Sequence, residues 1–370
     1  MLRGLYIHIP FCAKKCQYCS FVSYAGRQSC AHAYADAVVR EMGQYPPCEV
    51  GSVYFGGGTP SVVAPEVLQR ILSAARQRFA IAPDAEITLE ANPATVTASG
   101  FAAYREMGIN RLSFGAQSMI DSELAFLGRL HTAADTAEAV RLARQAGFDN
   151  ISLDLMFGLP GQTMDAAVFS AERLAALSPE HISCYALSIE EGTPLHAAAV
   201  RGEIAPMDGD LVAEQYAGVC ATLRRAGYVQ YEISNFAKNG RKSRHNSHYW
   251  RCGEYIGLGA GAAGYVDGVR YHNTGDLDAY LSGAPREIDE ILDKPAMQAE
   301  YMILGLRLVR EGVSISGFAN QFGEDVFSVF GKQLKKHARF IRRQGDVLKL
   351  APEAYYICNG ILMDFLPEML

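Results

Sequence analysis

The sequence lacks several features that define whole classes of protein. It contains no apolar run of about 18 residues, so a membrane-spanning helix is not expected. Neither sign of charge dominates, since 34 basic side chains stand against 40 acidic ones, and no overall basic field favours nucleic acid or anionic lipid. With 49% hydrophobic and 20% charged residues, the chain has enough apolar surface for a large folded core.

A secretory leader is also lacking. Residues 5–11 are too short and too polar to form one, and no small-residue cleavage site follows them. We therefore expect a cytoplasmic location, where thiols stay reduced. The chain has nine cysteines, and an odd number in such a compartment argues against a disulfide framework.

Short apolar runs alternate with helical patterns through the first two thirds of the chain. The apolar runs predict buried parallel strands at residues 4–10, 52–55, 86–90, 111–115, 151–157 and 181–188. Helical periodicity predicts helices at residues 65–79 and 132–145. Six such β/α units are two short of a closed eightfold barrel, so an open parallel sheet and a partial barrel both fit the pattern.

The pattern changes near residue 235. Gly, Asn, Tyr and Asp-Gly turns become frequent, which predicts loops and short antiparallel strands. A helical pattern returns at Lys294 and continues through Met297, Tyr301 and Leu308. We therefore divide the chain into a core of residues 1–235, a connecting segment of residues 236–293 and an α-rich C-terminal domain of residues 294–370.

Three cysteines stand together in the loop after the first predicted strand. Cys12, Cys16 and Cys19 have C-x3-C-x2-C spacing, whereas the other six are scattered and are interpreted as small apolar residues. Thiolates at this spacing can hold a four-iron cluster by three corners and leave one iron open. Structural zinc is an alternative, although it prefers four protein ligands and only His8 and Cys30 are nearby candidates for a fourth. Uncoordinated thiols are the other alternative.

A glycine run, Gly56-Gly57-Gly58-Thr59-Pro60, follows the second predicted strand. Three glycines let the backbone approach a ligand closely, and a tight strand–helix turn is the alternative interpretation.

Polar residues also follow several predicted strands. Glu90, Gln117, Asp154 and Ser188 lie at or just past the carboxyl ends of strands, and Arg129 lies near the same rim. Ligands bind at this edge in α/β barrels, although each of these side chains alone would also suit a surface or capping role.

The loop from Cys12 to Cys19, with Tyr18 before the last cysteine, resembles the signature of the radical S-adenosylmethionine (SAM) superfamily. The resemblance implies a partial (β/α)6 TIM-like barrel with a smaller α-rich C-terminal domain. It also implies a [4Fe-4S] cluster whose ligands are Cys12, Cys16 and Cys19. The methionine moiety of SAM would chelate the fourth iron, and an electron from the reduced cluster would cleave the sulfonium.

Over nearly the whole chain, the resemblance narrows to the HemN-like branch, which contains oxygen-independent coproporphyrinogen III oxidases and the HemW family of heme chaperones. It implies SAM-binding roles for Tyr6, Tyr18, Gly57, Gly58, Thr59, Glu90, Gln117, Arg129, Asp154 and Ser188.

Two features favour the chaperones over the oxidases. Ser20-Phe21 lacks the fourth cysteine of the oxidase Cys-x-Cys pattern, and the chain begins almost at Tyr6, where the oxidases have an extension. Ala263 stands where this branch usually has a histidine.

The segment from His245 to Trp250 resembles the HNxxYW motif of the chaperones. This makes His245 and His248 candidate heme ligands, because imidazole is a common axial ligand of heme iron. A capping or loop-packing role of the motif is the alternative.

The resemblance thus implies a heme chaperone-like protein that binds a [4Fe-4S] cluster, SAM and heme and delivers heme to apoproteins. The alternative is a radical SAM enzyme acting on a porphyrin, either the oxidase or a tetrapyrrole-modifying enzyme. Neither interpretation assigns a catalytic residue. The implied partners are heme-requiring apoproteins and an electron donor, with no nucleic acid, and any peripheral membrane association would come through the clients.

Overall fold

The computed structural model describes residues 2–367. Its strands are β1 (Arg3–Ile9), β2 (Phe11–Cys12), β3 (Tyr24–Ala25), β4 (Glu49–Gly57), β5 (Ala80–Ala91), β6 (Arg111–Gln117), β7 (Ile151–Phe157), β8 (His181–Ala186), β9 (Val229–Gln230), β10 (Asn235–Ala237), β11 (Tyr255–Leu258), β12 (Ala263–Val266), β13 (Val269–His272), β14 (Glu287–Ile291), β15 (Val313–Ser314), β16 (Ile341–Gln344) and β17 (Val347–Leu350). Its α-helices are α1 (Ala31–Met42), α2 (Pro65–Arg78), α3 (Ala98–Glu106), α4 (Asp121–Phe126), α5 (Ala133–Gln145), α6 (Met164–Ala176), α7 (Pro194–Val200), α8 (Gly209–Arg225), α9 (Arg244–Trp250), α10 (Leu277–Leu281), α11 (Lys294–Arg307), α12 (Ile315–Phe322), α13 (Val326–Lys336) and α14 (Cys358–Leu362).

A twelve-stranded sheet, in the order β14-β13-β12-β11-β1-β4-β5-β6-β7-β8-β10-β9, forms the centre of the molecule. The strands from β11 through β8 run parallel to one another, and antiparallel strands continue the sheet on both sides. The prediction of an α/β partial barrel is confirmed. Each of the six predicted strands and both predicted helices is present, with shifts at several ends.

Strand β6 illustrates how the barrel separates apolar from polar side chains. Leu112, Phe114 and Ala116 are fully buried on its outer face, where the Phe114 ring meets Phe101 of α3 edge-on at 6.0 Å. The alternate residues Arg111, Ser113, Gly115 and Gln117 line the space inside the barrel. Since successive side chains of a strand point to opposite faces, one strand supplies both the hydrophobic core and a polar lumen.

The segment after residue 235 differs from the prediction in one strand. β12, β13 and β14 are antiparallel as predicted, and β11 pairs antiparallel with β12 on one side but in parallel with β1 on the other, which the expectation of antiparallel pieces did not include. The cause lies in the path of the chain. Strand β10 ends beside His181 at the start of β8, and the chain then crosses the amino-terminal end of the barrel as α9. It enters β11 beside Gly4 at the start of β1 and therefore runs in the same direction.

A second hydrophobic core lies in the C-terminal part of the chain, among α11, α12, α13 and α14. It includes a small antiparallel sheet, β15-β17-β16, which the helical pattern did not predict because its strands are short. The guanidinium of Arg307 in α11 lies 4.5 Å from the ring centre of Trp250, which joins this part to α9. Within residues 2–367, no helix is long and apolar enough to cross a membrane.

Candidate cofactor site in the barrel lumen

A cavity of about 400 Å³ occupies the lumen and opens at the carboxyl ends of the strands. Cys12, Cys16 and Cys19 all line it. Eight of the residues implied to bind SAM line it as well: Tyr18, Gly57, Gly58, Thr59, Glu90, Gln117, Arg129 and Asp154. The fold therefore brings together, around one space, residues that are more than 140 positions apart in the sequence.

The glycine run is fastened to the cysteine loop by backbone hydrogen bonds. The N–H of Gly58 donates to the carbonyl of Ile9 over 3.0 Å, and that of Thr59 donates to the carbonyl of Phe11 over 2.8 Å. A Cβ atom at Gly58 would lie 2.8 Å from the Phe11 oxygen, so only glycine fits there. The Thr59 hydroxyl in turn lies 3.5 Å from the Cys12 sulfur.

Arg129 fixes the opposite side of the loop. Its Nη1 donates to the Cys16 sulfur over 3.6 Å and its Nη2 donates to the Gly115 carbonyl over 2.6 Å. Burial raises the pKa of the Cys19 thiol, so that this group stays protonated until a cation or metal stabilises its thiolate. Within the part of the chain that the structure describes, no group of three or more His, Cys, Asp or Glu side chains converges to hold a single metal ion.

Two buried carboxylates face the middle of the lumen. Glu90 accepts hydrogen bonds from the Tyr54 hydroxyl over 2.7 Å and from the Gly57 N–H over 3.3 Å. Asp154 accepts one from the Ser113 hydroxyl over 3.5 Å. Burial raises the pKa of Glu90 to about 7 and that of Asp154 to about 6. Both groups therefore change charge near neutrality and respond strongly to a charged ligand.

Two residues implied to bind SAM do not line the cavity. The Tyr6 hydroxyl lies 3.0 Å from Nδ1 of His8, and its ring stacks on Tyr54 at 6.2 Å between centres. Ser188 is exposed in the segment after β8, where its hydroxyl bonds to Glu190.

The HNxxYW segment forms α9, which closes the amino-terminal end of the barrel. His245 is 1% exposed, with Nδ1 at 2.8 Å from the Ser52 hydroxyl and Nε2 at 2.6 Å from the Tyr249 hydroxyl. Its ring also stacks on Tyr54 at 5.0 Å. Burial lowers the pKa of His245 to about 3, so the imidazole is neutral and both of its nitrogens have protein partners.

His248, one turn further along α9, is half-buried. Its Nε2 donates to the Glu254 carbonyl over 2.7 Å. It lines a second cavity of about 300 Å³, together with Arg3, Lys242 and Arg251. Both histidines of the motif therefore lie at the end of the barrel opposite to the mouth with the cysteines.

Sequence reasoning missed several residues of the lumen, among them Tyr54, Arg111, Ser113, Ser183 and Asn246. The alternation of polar and apolar residues along β6 and β8 was the signal that would have found three of them, Arg111, Ser113 and Ser183. Asn246 is the member of the HNxxYW segment that lines the lumen, between two histidines that do not.

Comparison with known proteins extends these observations. The sequence model of the Radical SAM superfamily matches residues 6–203 of this chain. The heme chaperone HemW of Bacillus subtilis is 35% identical over 381 aligned residues, which cover 100% of both chains. The heme chaperone HemW of Lactococcus lactis is 32% identical, covering 98% of this chain and 97% of that protein.

Among solved structures, coproporphyrinogen III oxidase (HemN) from Escherichia coli, described as a radical SAM enzyme, matches with a TM-score of 0.85. The match covers 100% of this chain and 91% of that one at 22% identity, so it concerns the fold.

Proposed function

Because the chain belongs to the radical SAM superfamily and, within it, to the family of the heme chaperone HemW, we propose that it binds a [4Fe-4S] cluster, SAM and heme and delivers heme to apoproteins. The observation that carries this proposal is the similarity to a heme chaperone over the full length of both chains. A cytoplasmic location, an electron donor and heme-requiring client proteins belong to the same proposal.

The donor set at the mouth fits a [4Fe-4S] cluster. Each of three irons takes one thiolate, so Cys12, Cys16 and Cys19 need only line a common opening rather than converge on one ion. The contacts of Thr59 and Arg129 to two of these sulfurs would stabilise the thiolates. When bound, the cluster supplies the electron for reductive cleavage of SAM.

The lumen offers matching groups for SAM itself. The close approach of the Gly57–Thr59 backbone leaves room for the methionine end beside the cysteines. Glu90 and Asp154 would accept hydrogen bonds from an amino group or from ribose hydroxyls. Tyr6 would act through its stacking on Tyr54 rather than by contact, and Ser188, outside the cavity, would reach only the adenine end of SAM.

For heme, His248 is a better candidate ligand than His245. An iron at His245 would have to displace one of two buried hydrogen bonds, whereas His248 lines a cavity with cationic side chains that suit the carboxylates of heme.

Hemin titration of the cluster-loaded protein tests this function. We expect a shifted Soret band, its loss in a His248→Ala variant, and transfer of heme to an added apoprotein such as apomyoglobin. Absence of binding at micromolar protein would reject the chaperone function. Anaerobic incubation with dithionite, SAM and coproporphyrinogen tests the alternative, since formation of protoporphyrinogen would establish an oxidase instead.

A further inference from the structure

Strand β14 is the last strand at one end of the twelve-stranded sheet. It pairs antiparallel with β13 on one side, and within residues 2–367 no strand pairs with its other side. All of its residues are exposed, and its two isoleucines, Ile288 and Ile291, are 65% and 71% exposed. An open edge of this kind can take an additional strand from another polypeptide.

The backbone of β14 directs hydrogen-bonding groups along that edge. The N–H of Leu292 donates to the Gly268 carbonyl over 2.9 Å, so the backbone at Leu292 faces β13. Successive residues of an antiparallel strand direct their N–H and carbonyl groups to opposite sides, and those of Ile291 therefore face away from β13. Ile291 thus presents one donor and one acceptor to an additional strand.

A β-bulge places both isoleucines of β14 on one face of the sheet. Ile288 lies opposite Tyr271 of β13 in the register. Ile291 lies opposite Val269, and Asp289 is the extra residue of the bulge. Directly opposed residues share a face, so both isoleucines lie on the face of the buried Tyr271. Without the bulge, residues three positions apart would lie on opposite faces.

The opposite face of β14 is acidic. Glu287 lies opposite His272 in the register. Glu290 lies opposite Arg270, so both glutamates lie on the face turned away from Tyr271. The edge strand is therefore apolar on one face and acidic on the other.

The cations around β14 do not neutralise its acidic side chains. Arg270 and Lys294 form ion pairs with glutamates outside the strand. Arg286 lies over two tyrosine rings, at 4.9 Å from each ring centre. The imidazole of His272 lies within 3.9 Å of two carboxylates of β14. Since three carboxylates share Arg286 and this imidazole, the edge keeps a net negative charge even when the imidazole is protonated.

We propose that β14 binds an extended segment of a partner protein in which basic side chains alternate with apolar ones. Added as the next strand of the sheet, the segment would pack its apolar side chains against Ile288 and Ile291. Its basic side chains would lie beside Glu287 and Glu290. A second copy of this chain is a poorer occupant, because antiparallel pairing of two β14 strands would bring carboxylates together. No residue of β14 lines the lumen or the cavity at His248, so this surface is additional to the proposed function.

Fluorescence anisotropy of labelled synthetic peptides, titrated with the cluster-loaded protein, tests this surface. The probe is a short peptide of alternating Lys and Val. One control is the same peptide N-methylated at every backbone nitrogen, which keeps the charge but cannot donate ladder hydrogen bonds. The other control is a peptide of alternating Glu and Val. We expect the wild type to bind the Lys/Val peptide about tenfold more tightly than either control. Equal binding of the N-methylated peptide would show attraction by charge alone and would overturn the inference.

Substitutions in β14 test the contributions of charge and backbone separately. The double variant Glu287→Lys/Glu290→Lys should reverse the preference and bind the Glu/Val peptide about tenfold more tightly than the Lys/Val peptide. Its matched control, Glu172→Lys/Glu214→Lys, makes the same change in net charge at exposed positions of α6 and α8 and should keep the wild-type preference. Ile291→Pro removes the outward N–H donor and should abolish binding of the Lys/Val peptide.

The remaining outcomes also decide the proposal. A wild type that binds neither peptide, or a charge-reversed variant that keeps the wild-type preference, would overturn it. Undiminished binding by a folded Ile291→Pro variant would overturn it as well, and if that variant does not fold, the charge-reversed variant decides alone. Sedimentation of the wild type tests the other occupant, since a dimer that dissociates in Glu287→Lys would identify a second copy and reject the basic segment.

Discussion

The two ends of the barrel are built from the same strands, but their polar side chains lie in different environments. At the carboxyl end, Cys16 and Cys19 are half-buried free thiols, and Glu90 lies just below them with a raised pKa. At the amino end, both nitrogens of His245 and both oxygens of Glu86 have partners within the protein. Thiols and carboxylates that line an open cavity are available to ligands, whereas a buried network whose hydrogen bonds are all made within the protein stabilises the fold. We therefore assign the proposed cluster and SAM chemistry to the mouth, and a largely structural role to the buried part of α9 around His245.

The largest difference between the two ends should be seen in iron content when a cysteine at each end is substituted. A Cys16→Ser variant removes one proposed cluster ligand at the mouth, and we expect it to lose most of the about four irons per chain that anaerobic reconstitution gives the wild type. Cys252→Ser, at the amino end, is the matched control and should keep its iron. Iron analysis of both variants checks the contrast, and full iron content in Cys16→Ser would refute the ligand assignment.

Removing the imidazole of His245 should lower the stability of the protein rather than its iron content. The change His245→Ala deletes two buried hydrogen bonds and the stacking on Tyr54, and we expect it to lower the free energy of unfolding by about 2–4 kcal/mol. Urea unfolding measures this loss, and iron content per folded chain should not change. A variant of normal stability that cannot load its cluster would reverse our assignment of the two ends.

Acid should weaken the amino end first. The pKa of His245 is about 3 in the folded chain against about 6.5 when unfolded, so the unfolded state takes up a proton below pH 6.5 and the folded state does not. We expect this residue to contribute a loss of about 2 kcal/mol in unfolding free energy between pH 6.5 and pH 5. The measurement is the difference in pH dependence between the wild type and His245→Asn. Parallel curves for the two proteins would contradict the buried neutral imidazole.

The smallest effect should come from substituting Tyr54, whose side chain contacts Glu90 in the lumen and His245 at the amino end. Its hydroxyl hydrogen bond to Glu90 lowers the pKa of that carboxyl, so Tyr54→Phe should raise it while keeping the stacking on His245. We expect SAM binding at pH 7 to weaken by about 1 kcal/mol, with little change at pH 9. Equilibrium dialysis at both pH values checks this, and a change in unfolding free energy larger than the change in binding would show that Tyr54 serves mainly the amino end.

The sequence predicts the mouth of the barrel, with its cysteines, better than the amino end of the barrel, and the reason is physical. The cysteine loop and the glycine run are local motifs, and the parallel strands that position them have strong apolar runs. The partners of His245 are different, because Ser52 lies 193 positions away and nothing near either residue records the contact. The parallel pairing of β11 with β1 was not predicted because apolar periodicity indicates a strand but not the direction in which it pairs. Arg111 was overlooked because β6 was read as a uniformly apolar strand rather than an alternating one.

Trp250 is an intrinsic fluorescent probe of the amino end of the barrel. It is the only tryptophan in the chain and lies under the guanidinium of Arg307, where α9 meets the C-terminal helices. All intrinsic tryptophan emission therefore originates at one known place. Heme is a strong acceptor of tryptophan excitation, and energy transfer falls steeply with distance, so quenching in the hemin titration would measure how far the proposed porphyrin site lies from this junction.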